Sequence, residues 1–174
     1  MPKTLYLVRH ATTSRGTLSL ADHQRPLSEV GRQSAAALGR YLARTGARPD
    51  LVLCSTAARA NETLALAIAE WPISAPIDER PSLYLASAAT LLNEVRAFDD
   101  RLGSVMLMGH NPGMSEFAAA LQPAQRTAPL APFPTGTVAV FTLAIGRWRD
   151  VAPGRGRLEA IMTPREFETV PSRV

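Results

Sequence analysis

Three short stretches of this chain are apolar at nearly every position: Leu5-Tyr6-Leu7-Val8, Leu51-Val52-Leu53 and Val105-Met106-Leu107-Met108. Strands of that kind bury both faces, which is the pattern of a parallel sheet covered by helices rather than of a sheet with one wet side. The three runs also end alike. The first passes into Arg9-His10, the second into Cys54-Ser55-Thr56 with Arg59 on the first turn of the helix that follows, and the third into Gly109-His110-Asn111-Pro112-Gly113. In an open parallel sheet the carboxyl ends of the strands share an edge, and ligands bind in the crevice outside it. Two histidines and two arginines, remote along the chain, are therefore expected around one concave site.

The segments between these runs alternate as an α/β fold requires. A polar loop spans Thr12 to Pro26, and Ser28 is placed to cap a helix that runs to about Thr45 and stops near Gly46. Its apolar face comprises Val30, Ala37, Leu38, Tyr41 and Leu42. Further helices are expected over about 58–70, 87–101 and 114–121, with a proline-rich crossing through Pro72, Pro76 and Pro81. Residues 122–136 read as loop, 137–143 as a strand, and 158–162 as an edge strand reached through an Arg/Gly-rich hairpin. The expected architecture is a three-layer α/β sandwich, a mostly parallel central sheet with helices on both faces. At 174 residues the chain fits one domain spanning its whole length, able to bury about 70% of its unfolded surface.

A cluster of two imidazoles and two guanidiniums suits a tetrahedral dianion. Arginine offers a planar fork of donors that matches phosphate oxygens and does not titrate in the useful range. Histidine serves as a neutral nucleophile or a cationic donor near neutral pH. Arginines beside His10 disfavour a further positive charge there, so a ring nitrogen is expected to stay free to attack. His110 is left the other task, donating to a non-bridging oxygen.

The segment Leu7-Val8-Arg9-His10-Ala11 resembles the signature of the histidine phosphatase superfamily, whose best known members are the phosphoglycerate mutases and related phosphatases. Asp22-His23-Gln24-Arg25-Pro26-Leu27-Ser28, Cys54-Ser55-Thr56-Ala57-Ala58-Arg59-Ala60-Asn61-Glu62-Thr63 and Gly109-His110-Asn111-Pro112-Gly113-Met114-Ser115-Glu116 resemble its SixA-type phosphohistidine phosphatases. The resemblance implies a phosphoglycerate mutase-like fold and covers roughly residues 4–143. It implies that His10 is phosphorylated during turnover, that Arg9 and Arg59 hold the phosphate, that His110 is the second pocket histidine, and that Arg25 lies near the pocket mouth. Pro134-Thr135-Gly136 resembles a segment that passes close to the site, where backbone amides are expected to help hold phosphate.

One part of the family pattern is missing. Many members carry a glutamate after the third strand that protonates the leaving group, and here that stretch reads Arg80-Pro81-Ser82-Leu83-Tyr84-Leu85, with Glu79 displaced. General acid catalysis contributes about a hundredfold to ten-thousandfold, and an alkoxide leaving group needs it most. Imidazole leaving from phosphohistidine needs less, so the gap favours phosphohistidine, or another activated phosphate, over an ordinary sugar phosphate, and the open pocket expected from short connections suits a phosphorylated side chain displayed on a partner protein. Asp22, in the loop expected to fold over the pocket, is the best substitute acid. Tyr84 is expected either at the pocket mouth or packed on the sheet edge, His23 in solvent, and Cys54 as a small buried apolar group.

Other readings set limits. A metal site built from His10, His110 and Cys54 or Asp22 would face two repelling arginines and fits no common zinc spacing, so no metal and no organic cofactor is expected. A small-molecule phosphomonoesterase is the nearest alternative. Mutases of the superfamily enclose their substrate with an inserted segment, for which this chain has no room. The net charge of +4 and the cluster Arg147, Arg149, Arg155 and Arg157 suggest a basic binding protein. No nucleic-acid motif accompanies those arginines, and a solvated basic face that steers an acidic partner is the plainer account. No apolar run approaches the ~20 residues that span a bilayer, and Met1 to Thr4 leads straight into strand pattern, so no membrane partner and a cytoplasmic location are expected. The oligomeric state is left open.

Overall fold

The computed structural model describes residues 1–15, 20–123 and 133–167. Residues 16–19 of the expected polar loop and 124–132 of the expected loop over 122–136 lie outside that set. Six strands, β1 (Lys3–Arg9), β2 (Leu51–Ser55), β3 (Ile77–Arg80), β4 (Ser104–Gly109), β5 (Val138–Leu143) and β6 (Gly156–Met162), form one sheet in the order β3-β2-β4-β1-β5-β6. β3, β2, β4 and β1 run parallel, and β5 and β6 add an antiparallel margin. The helices are α1 (Glu29–Arg44), α2 (Ala58–Glu70), α3 (Ala88–Arg96) and α4 (Gly113–Leu121).

The doubly apolar runs form the centre of this sheet, as burial on both faces demands. Leu5, Leu7 and Leu107 join Leu91, Val95, Phe117 and Phe141 in a core on the α3–α4 side. Val8, Met106 and Val52 join Leu38, Tyr41, Leu64 and Trp71 on the α1–α2 side. Alternation along a strand sends successive side chains to opposite layers. The result is the expected three-layer α/β sandwich with a mostly parallel sheet. Among the described residues no helix is long and apolar enough to cross a membrane.

Helix α1 begins where the serine predicts, with Ser28 accepting from the Gly31 amide. Its buried stripe is Gly31, Ala35, Leu38, Gly39, Tyr41 and Leu42, and Val30 faces outward at 63% exposure. The stripe is rotated because Gly31 lies directly on the loop after β1, where a Cβ would stand 1.9 Å from the Thr12 carbonyl oxygen. Only glycine permits that approach.

Three local expectations shift. Helix α3 ends at Arg96, five residues short of the expected stop, because Asp99 and Asp100 spend their carboxylates on backbone amides: Asp99 accepts from the amide of Arg101 and Asp100 from that of Trp148. Local bonds of this kind compete with helix continuation. The proline-rich crossing contains β3, an edge strand bracketed by Pro76 and Pro81 where their missing N–H groups cost no ladder bond. The basic hairpin carries the fully buried Trp148, whose indole donates to the Leu102 carbonyl at the amino end of the sheet.

Candidate active site

Register brings the two histidines together. β1 pairs with β4 so that Arg9 stands opposite Gly109, and the residue just after each strand is a histidine. The His10 amide donates to the Gly109 carbonyl at 3.1 Å, and the two rings lie with centroids 5.0 Å apart at a tilt of 52°. Both are deep, His10 at 7% and His110 at 2% exposure.

The His10 ring is fixed by its own neighbour. Nδ1 lies 2.7 Å from the Ala11 carbonyl oxygen. A carbonyl only accepts, so Nδ1 carries the proton and the lone pair of the neutral ring sits on Nε2. The Ala11 amide is held in turn by Thr63 Oγ1 at 3.0 Å. Burial, reinforced by the charges of Arg59 and Arg9, lowers the His10 pKa to about 4 despite the Ala11 bond. Burial first, then the neighbouring His10 and Arg59, lower that of His110 to about 3. Both rings are therefore neutral at pH 7. His110 Nε2 and Ser55 Oγ share a 2.7 Å hydrogen bond, and His110 Nδ1 is buried without a hydrogen-bond partner among the described residues.

Each arginine is held differently. Arg9 Nη1 donates to the Phe133 carbonyl, while its Nε is buried and unpartnered among the described residues. Arg59, on the first turn of α2 and 4% exposed, donates from Nη1 to the Asp22 carbonyl at 2.6 Å and from Nη2 to the Asp22 carboxylate at 3.0 Å. Asp22 opens the short 3-10 turn Asp22–Gln24 that crosses the site. Its Oδ2 also accepts from the Tyr84 hydroxyl at 2.7 Å, and its Oδ1 from Arg25 Nη1 at 3.1 Å. The Tyr84 hydroxyl, then Arg25 and Arg59, hold the Asp22 carboxyl down at about 2.

The structure thus brings His10, His110, Arg9, Arg59 and Asp22 together. It leaves Arg25 one step back, its Nη2 donating to Thr13 Oγ1 and the Ser14 carbonyl while its other arm steadies Asp22. Asp22 is ionised at neutral pH, which removes its fitness as a proton donor to an alkoxide. His23 is half-buried rather than solvated: Nε2 bonds Thr56 Oγ1 at 2.9 Å and its ring meets Tyr84 edge-on. Tyr84 lines the site, its ring 5.5 Å from that of His110. Cys54 lies away from the histidines and donates to Asn61, and burial with the Glu79 charge pushes its thiol up to about 12. Among the described residues no group of three His, Cys, Asp or Glu is arranged to hold a metal ion.

The segment 134–136 does pass close by, yet its Gly136 amide is already engaged. Gly136, in a left-handed turn at φ +79°, donates to the carbonyls of Arg9 and His10, and the Thr137 amide to that of Pro134. Just before the segment, the Phe133 carbonyl holds both Arg9 and Asn111. The support given by Ser55, Thr63 and Phe133 escaped the sequence reading. Ser55 alone left a trace there, as a polar residue closing a buried strand.

Comparison with known proteins identifies the family. The model of the histidine phosphatase superfamily (branch 1) matches residues 5–84. An uncharacterized protein of Mycobacterium tuberculosis is 35% identical over 164 residues, covering 91% of this chain and all of the relative. The fold superposes on a candidate phosphohistidine phosphatase SixA from Nakamurella multipartitia with a TM-score of 0.82 and 32% identity, covering 94% of this chain and 97% of that one. A second SixA candidate, from Agrobacterium tumefaciens, gives 0.81 and 30%, covering 94% and 99%. The chain belongs to the histidine phosphatase superfamily, in its SixA-like group, and its chemistry is that of a phosphatase.

Proposed function

We propose that this phosphatase removes the phosphoryl group from phosphohistidine on a partner protein through a covalent intermediate on His10. The observation that carries the reading is the Nδ1–H of His10 tied to the Ala11 carbonyl, which leaves the Nε2 lone pair of a neutral ring among arginines and beside His110. Nε2 attacks phosphorus, the bond from phosphorus to the substrate nitrogen breaks, and its electron pair leaves with the imidazole. Arg9 and Arg59 neutralise the phosphoryl oxygens, and Nδ1 of His110 serves as a further contact to them. Water then attacks phosphorus, the electron pair of the P–Nε2 bond returns to His10, and the product departs as dihydrogen phosphate.

The choice of phosphohistidine rests on the leaving group. Asp22 is ionised and Glu79 is engaged by Asn61, so among the described residues neither candidate carboxylate stands ready to protonate an alkoxide, whereas a protonated imidazole departs without one. The roles given to His10, His110, Arg9 and Arg59, the substrate role of Asp22 and Arg25, independence of metal and organic cofactor, and a cytoplasmic location all belong to this proposal.

The test compares turnover of a phosphohistidine protein, a phosphohistidine peptide and a panel of sugar phosphates, with acid-labile label sought on His10 after rapid quenching. Faster turnover of the phosphohistidine substrates, label lost in His10→Ala and activity unaffected by EDTA are the expected results. Preference for a sugar phosphate rejects the substrate, and undiminished activity in His10→Ala rejects the mechanism.

A further inference from the structure

The described side chains include an ionised carboxylate where a phosphatase has least use for one. Asp22 shares the Arg59 fork, and its charge acts on both histidine rings. A carboxylate so close to a phosphate pocket repels the substrate dianion. Yet three side chains hold it there. Oδ1 takes Arg25, and Oδ2 takes both Tyr84 and Arg59. Tyr84 is itself lodged between the rings of His23 and His110, with centroids 4.8 and 5.5 Å from its own. The assembly is more than a loop tie, because it holds a carboxylate acceptor on Arg59, with its charge felt at both histidine rings.

We propose that Asp22, positioned by Tyr84 and Arg25, accepts the distal ring N–H of a protonated leaving imidazole, so that the site selects phosphoryl groups carried on a nitrogen that needs no proton delivered. This deepens the phosphohistidine reading and rests on it.

The chemistry balances without any proton transfer. In an N-phosphoimidazolium the proton sits on the nitrogen that does not bear phosphorus. When Nε2 of His10 displaces that ring, the P–N electron pair passes to the departing nitrogen and a neutral imidazole results. The distal proton stays where it was throughout. Asp22 contributes by favouring the protonated substrate, the one with the better leaving group, through a charge-assisted hydrogen bond.

Arg59 links this bond to phosphate binding. Turning Nη2 from Asp22 to a phosphoryl oxygen releases one lone pair of Oδ2, the pair that the distal N–H takes. Tyr84 and Arg25 meanwhile keep the carboxylate in place. The field that lowers the Asp22 pKa also makes it useless as an acid and suitable as an acceptor. In this arrangement Tyr84 works through Asp22, and its phenol pKa is raised chiefly by that hydrogen bond.

The experiment measures kcat/KM for a phosphohistidine peptide and for p-nitrophenyl phosphate, whose phenolate leaves without a proton, in the wild type, Asp22→Asn and Tyr84→Phe. Loss of a hydrogen bond to a charged group is worth about a tenfold to hundredfold change, and the ratio of the two constants is expected to fall by that much in Asp22→Asn. Tyr84→Phe lowers the same ratio less, by about threefold to tenfold. In Asp22→Asn the alkaline limb of the kcat profile for the phosphohistidine peptide also moves to lower pH, because the bound protonated substrate is no longer favoured. Unchanged ratios in both variants, or an unmoved alkaline limb, overturn the proposal and leave the phosphohistidine reading intact. A wild-type protein that hydrolyses p-nitrophenyl phosphate but not the phosphohistidine peptide overturns both.

Discussion

Arg59 at the carboxyl edge of the sheet and Arg157 on the far strand β6 carry the same guanidinium in opposite settings. The side chain of Arg59 is 5% exposed and grips Asp22 at 3.0 Å, whereas that of Arg157 is 76% exposed and pairs with Glu159 at 2.7 Å. The shorter ion pair is the less consequential one. Water and salt screen the Arg157 pair, and exposed pairs contribute about 0–1 kcal/mol. At Arg59 water is largely excluded, and its charge reaches both histidines. Arginine counts say little until burial is known. The basic hairpin illustrates this, since Arg147 there is likewise paired with the adjacent Asp150.

The contrast gives predictions of graded size. His10→Ala removes the nucleophile and is expected to lower kcat by at least about a thousandfold, with the circular dichroism spectrum unchanged; a residual rate above that level would move the chemistry elsewhere. Arg59→Ala is expected to lower kcat/KM by about a hundredfold to a thousandfold, in steady-state assays on the same phosphohistidine peptide. Loss under tenfold would make Arg59 no more important than a surface cation.

Acid should also separate the two regions. His10 and His110 have folded pKa values of about 4 and 3, below the ordinary 6.5. Between those values the unfolded chain binds more protons, so the stability conferred by two neutral rings is complete above pH 6.5 and is lost as the pH falls toward 4. The urea midpoint is expected to drop across that window, by less in His10→Gln, and least of all in a variant with both rings replaced. Arg157→Ala is the smallest expected effect, under twofold in activity and within about 0.5 kcal/mol in stability. A larger loss would give the hairpin a role beyond a solvated basic face.

Much of this was legible because the signals were strong and local. The doubly apolar runs of Leu5–Val8 and Val105–Met108 fit only the middle of a covered sheet, and Ser28 capped its helix where hydroxyl chemistry required. The Cys54 thiol is buried and its pKa is pushed up to about 12, as suits a small apolar group on the strand. Weaker signals misled. Val30 matched the helical period but faces solvent, since Gly31 turns the helix against the Thr12 carbonyl. β3 was hidden by its prolines, which in fact flank it. Helix α3 looked longer because nothing in 97–101 announces that Asp99 will take the Arg101 amide and Asp100 that of the distant Trp148.

By itself the sequence determined which side chains end the central strands, because the hydrophobic pattern and the residues after it are written in consecutive positions. It also determined that the conventional glutamate acid is missing. Only the tertiary structure decided the state of those groups. Which nitrogen of His10 holds the proton depends on a carbonyl 2.7 Å away, and whether Asp22 can donate one depends on Tyr84, distant from it along the chain. Protonation follows the local field and the local water, and both are made by residues that meet only when the chain has folded.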